Sequence, residues 1–322
     1  MRGSATLPLV FSFLVLVHGT HAATITIGGN NSDSSHETYS FTELSVPFPG
    51  ADETLVGGIN DAGRIVGGYH DSGGFHGFVS KHGMFAVFNV PFQGASGTQG
   101  FGINSRDQIV GQYVTPGHTH GFVLTRGLFI TLDVPSARAT DTFPRGINAQ
   151  AAIVGLYHDS NGSHGFLFDR GRFATIDVPF SGAHDTIASG INARNEIVGS
   201  YTGGDGLIHG FIKQEATYTT IDVPFSGVTE TQANGINNHG EIVGLFNDAN
   251  GTHGFVLERG EFTRFDASFS DISDVSGTSG LGINDRREIV GMYSRQSTDG
   301  QEFSFLAKPS CGDDFRDEDQ DY

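Results

Sequence analysis

Tryptophan is absent from this 322-residue chain, cysteine occurs once, and acidic residues outnumber basic ones by 36 to 18. The lone Cys311 excludes an internal disulfide framework. Stability must therefore come from burial, which 27 Phe and many Ile and Val can supply. The net charge of −18 argues against nucleic acid and anionic membranes as partners, because phosphate binding needs a basic footprint. No window carries the 3.6-residue apolar period of an amphipathic helix. Long apolar runs are also missing. The longest, Leu7 to Val17, falls short of the ~20 residues a bilayer span requires. With Arg2 before it and Thr20-His21-Ala22 after it, residues 1–22 read as a secretory signal peptide cut after Ala22 or Ala23, so no membrane insertion is expected. Residues 23–39, rich in Gly, Asn and Ser, read as a flexible leader. Residues 309–322, with Asp313, Asp314, Asp317, Glu318, Asp319 and Asp321, read as an acidic disordered tail.

What the chain does have is repetition. Gly-Ile-Asn recurs six times, at Asn60, Asn104, Asn148, Asn192, Asn237 and Asn284, and Ile-Val-Gly follows each. The spacings of 44, 44, 44, 45 and 47 residues mark a repeat architecture over residues 40–308. Residues 217–260 serve as a specimen. Thr217 to Phe225 is β-branched and aromatic and ends at Pro224 and Phe225, Thr231 to Asn237 is a second strand, and Asn238-His239-Gly240 turns tightly. Glu241 to Phe246 and His253 to Leu257 complete four strands around an Asn-Gly hairpin signal. A four-stranded antiparallel sheet with two apolar faces must stack on others, and stacking around an axis gives an all-β six-bladed β-propeller. The longest loop lies between the Val-Pro-Phe strand and the next Gly-Ile-Asn strand, which predicts Gly-Ile-Asn innermost and Val-Pro-Phe outermost. A surplus strand, Phe41 to Phe48, precedes the first repeat and the last repeat lacks one. The N-terminal strand is thus expected to close the ring.

The unit resembles the HAF repeat of predicted extracellular proteins. The corresponding triplets are His76-Gly77-Phe78, His120-Gly121-Phe122, His164-Gly165-Phe166, His209-Gly210-Phe211 and His253-Gly254-Phe255. Gly stands where the family has Ala, and Glu302-Phe303 falls where the sixth His-Gly is expected. The resemblance implies an extracellular location and a repeat fold, and no chemistry. The acidic tail, where many members carry an apolar sorting helix, implies release.

The five equivalent histidines are expected to sit in different blades, too far apart for one metal. They read as blade-internal hydrogen-bonding groups, paired with the Thr six residues before each Asn: Thr54, Thr98, Thr142, Thr186, Thr231 and Thr278. The repeated Asn residues, and Asp133, Asp177, Asp222 and Asp266, read as structural. Calcium is a weaker alternative at the loops starting at His70, Asp159 and Asp248, because hairpin chemistry explains them without a cofactor. Positions that break the repeat are more informative. Three residues before each Asn stand Gly57, Phe101, Arg145, Ser189, Asn234 and Leu281, and the adjoining loops add Glu53, Asp141, His184, Asp185 and Glu230. Phe101, Asp141, Arg145, His184, Asp185, Ser189, Glu230 and Asn234 are therefore the expected ligand-binding set at an axial mouth. A monomeric secreted module binding a carbohydrate or a protein is the first reading. A structural repeat protein is the second. A hydrolase or lyase is the third, with Arg145 stabilising charge and Asp141, Asp185 or His184 as acid or base.

Overall fold

A computed structural model of the chain describes residues 22–26, 38–135, 139–298 and 301–310. The signal-like segment and the acidic tail lie outside the described residues. The fold is all-β, with one 3₁₀ turn at Gln296–Thr298. Repeats one to five each form four antiparallel strands in the expected order, and the sixth forms three. In the first unit these are Glu53–Ile59, Arg64–Asp71, Gly74–Lys81 and Met84–Phe88, hydrogen-bonded in that sequence. Units one to three stand as separate four-stranded sheets. Single parallel bridges, Ile208 with Glu230 and Thr252 with Gly277, join units four to six into one sheet of thirteen strands.

The strand Thr38–Leu44 lies antiparallel to Glu302–Ser310 in the last unit, in register from Thr38↔Ser310 to Leu44↔Ser304. Ala22–Thr26 pairs in turn with Thr38–Leu44. Of the expected leader, 23–39, residues 23–26 and 38–39 are in these two strands, and residues 27–37 lie outside the described residues. The β-branched run Thr24-Ile25-Thr26 prevails locally over the polar composition around it. The strands also carry the repeat domain two residues past both expected limits, 40 and 308.

The Gly-Ile-Asn strand is bulged in every unit. Pairing skips one residue between Val56 and Gly58, Gly100 and Gly102, Pro144 and Gly146, Ala188 and Gly190, Ala233 and Gly235, and Gly280 and Gly282. The bulge pushes the neighbouring strand's glycine against it. A methyl on Gly111 would overlap the carbonyl oxygen of Gln99 and come within 2.9 Å of the Phe122 ring. The third residue of Ile-Val-Gly meets the same obstacle in all six units. Gly102, two residues before its Asn, lies where a Cβ would come 2.7 Å from the Arg145 carbonyl of the next unit. Neighbouring innermost strands therefore touch backbone to backbone.

The core lies between units. The six Val residues of Ile-Val-Gly are fully buried, and each packs into the cluster of the following unit. Val66 joins Phe88, Ile109 and Phe122, and Val290 of unit six joins Val56, Ile65 and Phe78 of unit one. The Phe of each His-Gly-Phe triplet is also buried.

Gly111→Ala is expected to destabilise by about 3 kcal/mol or more, since overpacking meets backbone that cannot yield. Gly83→Ala, in an open turn at φ +76°, should cost only about 1–2 kcal/mol from the left-handed backbone. Equal losses in chemical denaturation would contradict the close-approach account.

Candidate functional site

All six innermost strands converge on one cavity of about 630 Å³. Its wall has three layers. Next to the repeated Asn is a girdle of isoleucines, Ile59, Ile103, Ile147, Ile191, Ile236 and Ile283, all largely buried. Above it stand the bulge residues, Gly57, Phe101, Arg145, Ser189, Asn234 and Leu281. Above these stand Leu55, Gln99, Phe143, Ile187, Gln232 and Ser279. A bulge re-aims one side chain without disturbing the rest of the ladder. Here the skipped residue, different in all six units, lines the cavity, while the Gly-Ile-Asn that follows it keeps the repeat.

Below the girdle the asparagines form a cycle. Each Nδ2 donates to the main-chain oxygen of the next unit's Asn. The bonds run from Asn60 to Asn104 at 2.9 Å, then through Asn148, Asn192, Asn237 and Asn284, and from Asn284 back to Asn60 at 3.1 Å. Each Oδ1 accepts from the N–H groups two and four residues on, as Asn148 does from Gln150 and Ala152. The expected turn role is present, and the bond to the next unit adds to it.

The structure brings together half of the expected ligand-binding set. Phe101, Arg145, Ser189 and Asn234 line the cavity. The Arg145 guanidinium carbon lies 4.3 Å from the centre of the Phe101 ring, and burial lowers its pKa to about 10, so it stays charged at neutral pH. Asn234 is partly committed, donating to the Gly280 carbonyl at 3.0 Å. Asp141, His184, Asp185 and Glu230 are not among the lining residues. Asp141 and Asp185 accept main-chain bonds from Thr119 and Ser163 of the preceding units, at 2.7 and 2.8 Å, and so tie units together. Glu230 accepts from Asn247 at 2.5 Å and from Gln232. His184 is exposed, 3.3 Å from the Gly182 carbonyl. Their place at the start of the strand puts them at the joints between units. Gln99, Phe143, Gln112 and Gln232 complete the wall and were not in the expected set. The two-residue period of a strand, counted back from the bulge, points to three of them.

The histidines do not pair with the threonines. Each Thr hydroxyl accepts from a main-chain N–H of the Val-Pro segment, as Thr142 does from Val134 at 3.1 Å, or of its equivalent at Ala267. Each His instead bridges two side chains. His164 lies 2.9 Å from Asp177 and 3.3 Å from Asp159, and His209 lies 2.9 Å from Asp222 and 3.2 Å from Asp205. The ring of Tyr157 stacks on His164, and that of Tyr201 on His209. Asp159 and Asp248 use the same oxygen to accept a turn N–H, so these loops are hairpin turns tied to the histidine. In the last unit Tyr293 pairs with Phe303 as Tyr157 does with His164. Phe303-Ser304, not Glu302-Phe303, thus holds the His-Gly place. Ser304 uses it to donate to Thr54 and accept from Val56 of unit one, at 2.8 and 3.0 Å.

No protein-family model and no curated protein sequence matches the chain. Among solved structures it is similar to TolB from Acinetobacter baumannii, with 11% identity and a TM-score of 0.50 over 77% of this chain and 63% of that one. It is also similar to AofleA from Arthrobotrys oligospora, with 10% identity and a TM-score of 0.49 over 79% and 82%. A third is the Aleuria aurantia lectin AAL in complex with Fucα1-6GlcNAc, with 12% identity and a TM-score of 0.46 over 76% and 89%. The likeness to TolB is one of fold alone, the β-propeller type, and the other two decide nothing about this chain.

The histidine clusters make stability depend on pH. Burial opposes the charge on His164 and His209, but the bonds and charges of their aspartates outweigh it and raise both pKa values above the ordinary 6.5. Their contribution is full below pH 6.5 and is lost as pH rises through the raised value. Main-chain N–H donors hold Asp205 and Asp248 below the ordinary 3.8, so their contribution is lost as pH falls through that range. The melting temperature should form a plateau between these limits, and Asp177→Asn should flatten its alkaline side. An unchanged alkaline slope in that variant would remove the His164 bridge as the cause.

Proposed function

We propose that the six units close into a six-bladed β-propeller of the secreted HAF-repeat kind, and that it binds a small carbohydrate in its axial cavity. The asparagine cycle and the packing of Val290 into unit one support closure. The signal-like N-terminus supports secretion. The observation that carries the binding reading is the contrast within one wall: sixfold backbone and isoleucine layers surround side chains that differ in every unit. A volume of about 630 Å³ suits a mono- or disaccharide, within the roughly 300–1,000 Å³ of small-ligand pockets. Gln99, Gln112, Gln232 and Ser279 offer hydroxyl partners, and Phe101 and Phe143 offer apolar faces in a chain without tryptophan. Among the described residues no histidine or carboxylate is hydrogen-bonded to Ser189. The cavity thus favours binding over a nucleophile–base pair.

A saccharide that binds only the folded state should raise stability by about 2.7 kcal/mol at a hundred times its dissociation constant. Ser189→Phe, which fills the cavity from one bulge, should abolish the thermal shift and leave the unliganded melting temperature within a few degrees. An undiminished shift in that variant would move the site elsewhere. A panel of saccharides without any shift would turn the reading to a macromolecular partner or a structural role.

A further inference from the structure

We propose that the cavity is built for a saccharide bearing a single carboxylate, a uronic acid residue, with Arg145 as its anion-binding group. This rests on the binding reading above and names the class of ligand. The argument begins with an imbalance of charge. Acidic groups outnumber basic ones twofold, and other arginines find them: Arg64 with Asp107, Arg194 with Glu196, Arg264 with Asp266, Arg286 with Glu288 and Arg295 with Glu43. Arg145 does not. Among the described residues no carboxylate lies within ion-pair reach of it and no acceptor within hydrogen-bond reach. It is also the one cation among the described residues lining the cavity.

The fold does not require this cation. The bulge position it occupies is Gly, Phe, Ser, Asn or Leu in the other units, and the strands, girdle and asparagine cycle are alike in all six. The guanidinium carbon lies 4.3 Å from the Phe101 ring centre, a contact that matches none of the five N–H donors along the guanidinium edge. That edge is the geometry a carboxylate takes with two parallel bonds. The desolvation that lowers the Arg145 pKa is relieved when an anion enters. One charge is the right number. A phosphate monoester would call for further cations, and the lining provides none. The same lining carries Gln99, Ser189, Gln232 and Asn234, groups suited to ring hydroxyls. The acidic side chain of the lining, Glu302, belongs to unit six, three units away from Arg145, and its neighbour is Glu53.

The test is calorimetric titration of the mature protein with glucuronate and galacturonate and their dimers, against glucose, galactose and the matching neutral dimers. The uronates should bind at least tenfold more tightly than their neutral counterparts, and rising salt should weaken them. Arg145→Gln should erase the preference without erasing neutral-sugar binding, and Arg145→Lys should keep part of it. Arg145→Met should melt a few degrees higher than the unliganded wild type, because the unmatched cation is gone, whereas a merely structural stack on Phe101 would make it melt lower. Equal affinity for neutral and acidic sugars, or a preference that survives Arg145→Gln, overturns the carboxylate while leaving the cavity as a sugar site. If no sugar of either kind binds, the saccharide reading falls first and this inference with it. Should Arg145→Gln fail to fold, the Lys variant and the salt dependence decide.

Discussion

One side-chain amide holds this molecule in its order. The asparagine that ends each innermost strand closes its own turn with Oδ1 and reaches into the next unit with Nδ2. It meets two needs of buried backbone at once, and no other side chain does so in that geometry. Aspartate lacks the donor, and serine lacks the reach. Because the donated bond ends on the carbonyl of the next asparagine, each unit's turn geometry sets the position of its neighbour's. The isoleucine girdle and the backbone contacts through Gly102 and its equivalents follow from that spacing. Sixfold regularity at the base allows irregularity above it.

The division of labour along a single strand makes the site possible. Five consecutive positions, from the strand interior to the asparagine, alternate between packing, bulge, close approach, girdle and cap. The last three, Gly, Ile and Asn, are the same in every unit. The bulge residue differs in every unit, because its main chain has left the ladder and its side chain lines the cavity. Arg145, Phe101 and Ser189 can therefore change without altering the sheet that carries them. The asymmetry of the wall is an expected product of a symmetric frame that carries two varying layers, the bulge residues and those two positions before them.

Much of this was legible in the sequence. The period, the four strands, their order and the pairing of the N-terminal strand all followed from Gly-Ile-Asn, Ile-Val-Gly and the loop lengths, because these are local signals. The non-repeating positions led to Phe101, Arg145, Ser189 and Asn234 for the same reason. What was not legible depended on partners distant in sequence. Asp141 and Asp185 looked like members of the site, since a free carboxylate and one that accepts an N–H from the preceding unit are spelled alike. Sequence alone pairs the histidines with the threonines, because both begin strands. The register that sets His164 between Asp159 and Asp177 depends on which residue faces which across the hairpin, and a one-residue slip changes every partner. The same slip separates Phe303 from Glu302 at the sixth histidine place.

The strand Thr38–Leu44 and its partner Glu302–Ser310 are far apart in sequence, one before the first unit and one in the last. During synthesis the first of these leaves the ribosome more than 250 residues before the second. For that interval the early strand presents bare N–H and C=O groups, and so does the half-built last sheet once it appears. Each is a template for the matching segment of another copy. The same pairing that joins head to tail in one molecule would, between two molecules, produce an exchanged dimer with identical contacts, differing only in which chain supplied the strand. The local concentration of the chain's own early strand, not any difference in bonding, is what favours pairing within one molecule over exchange.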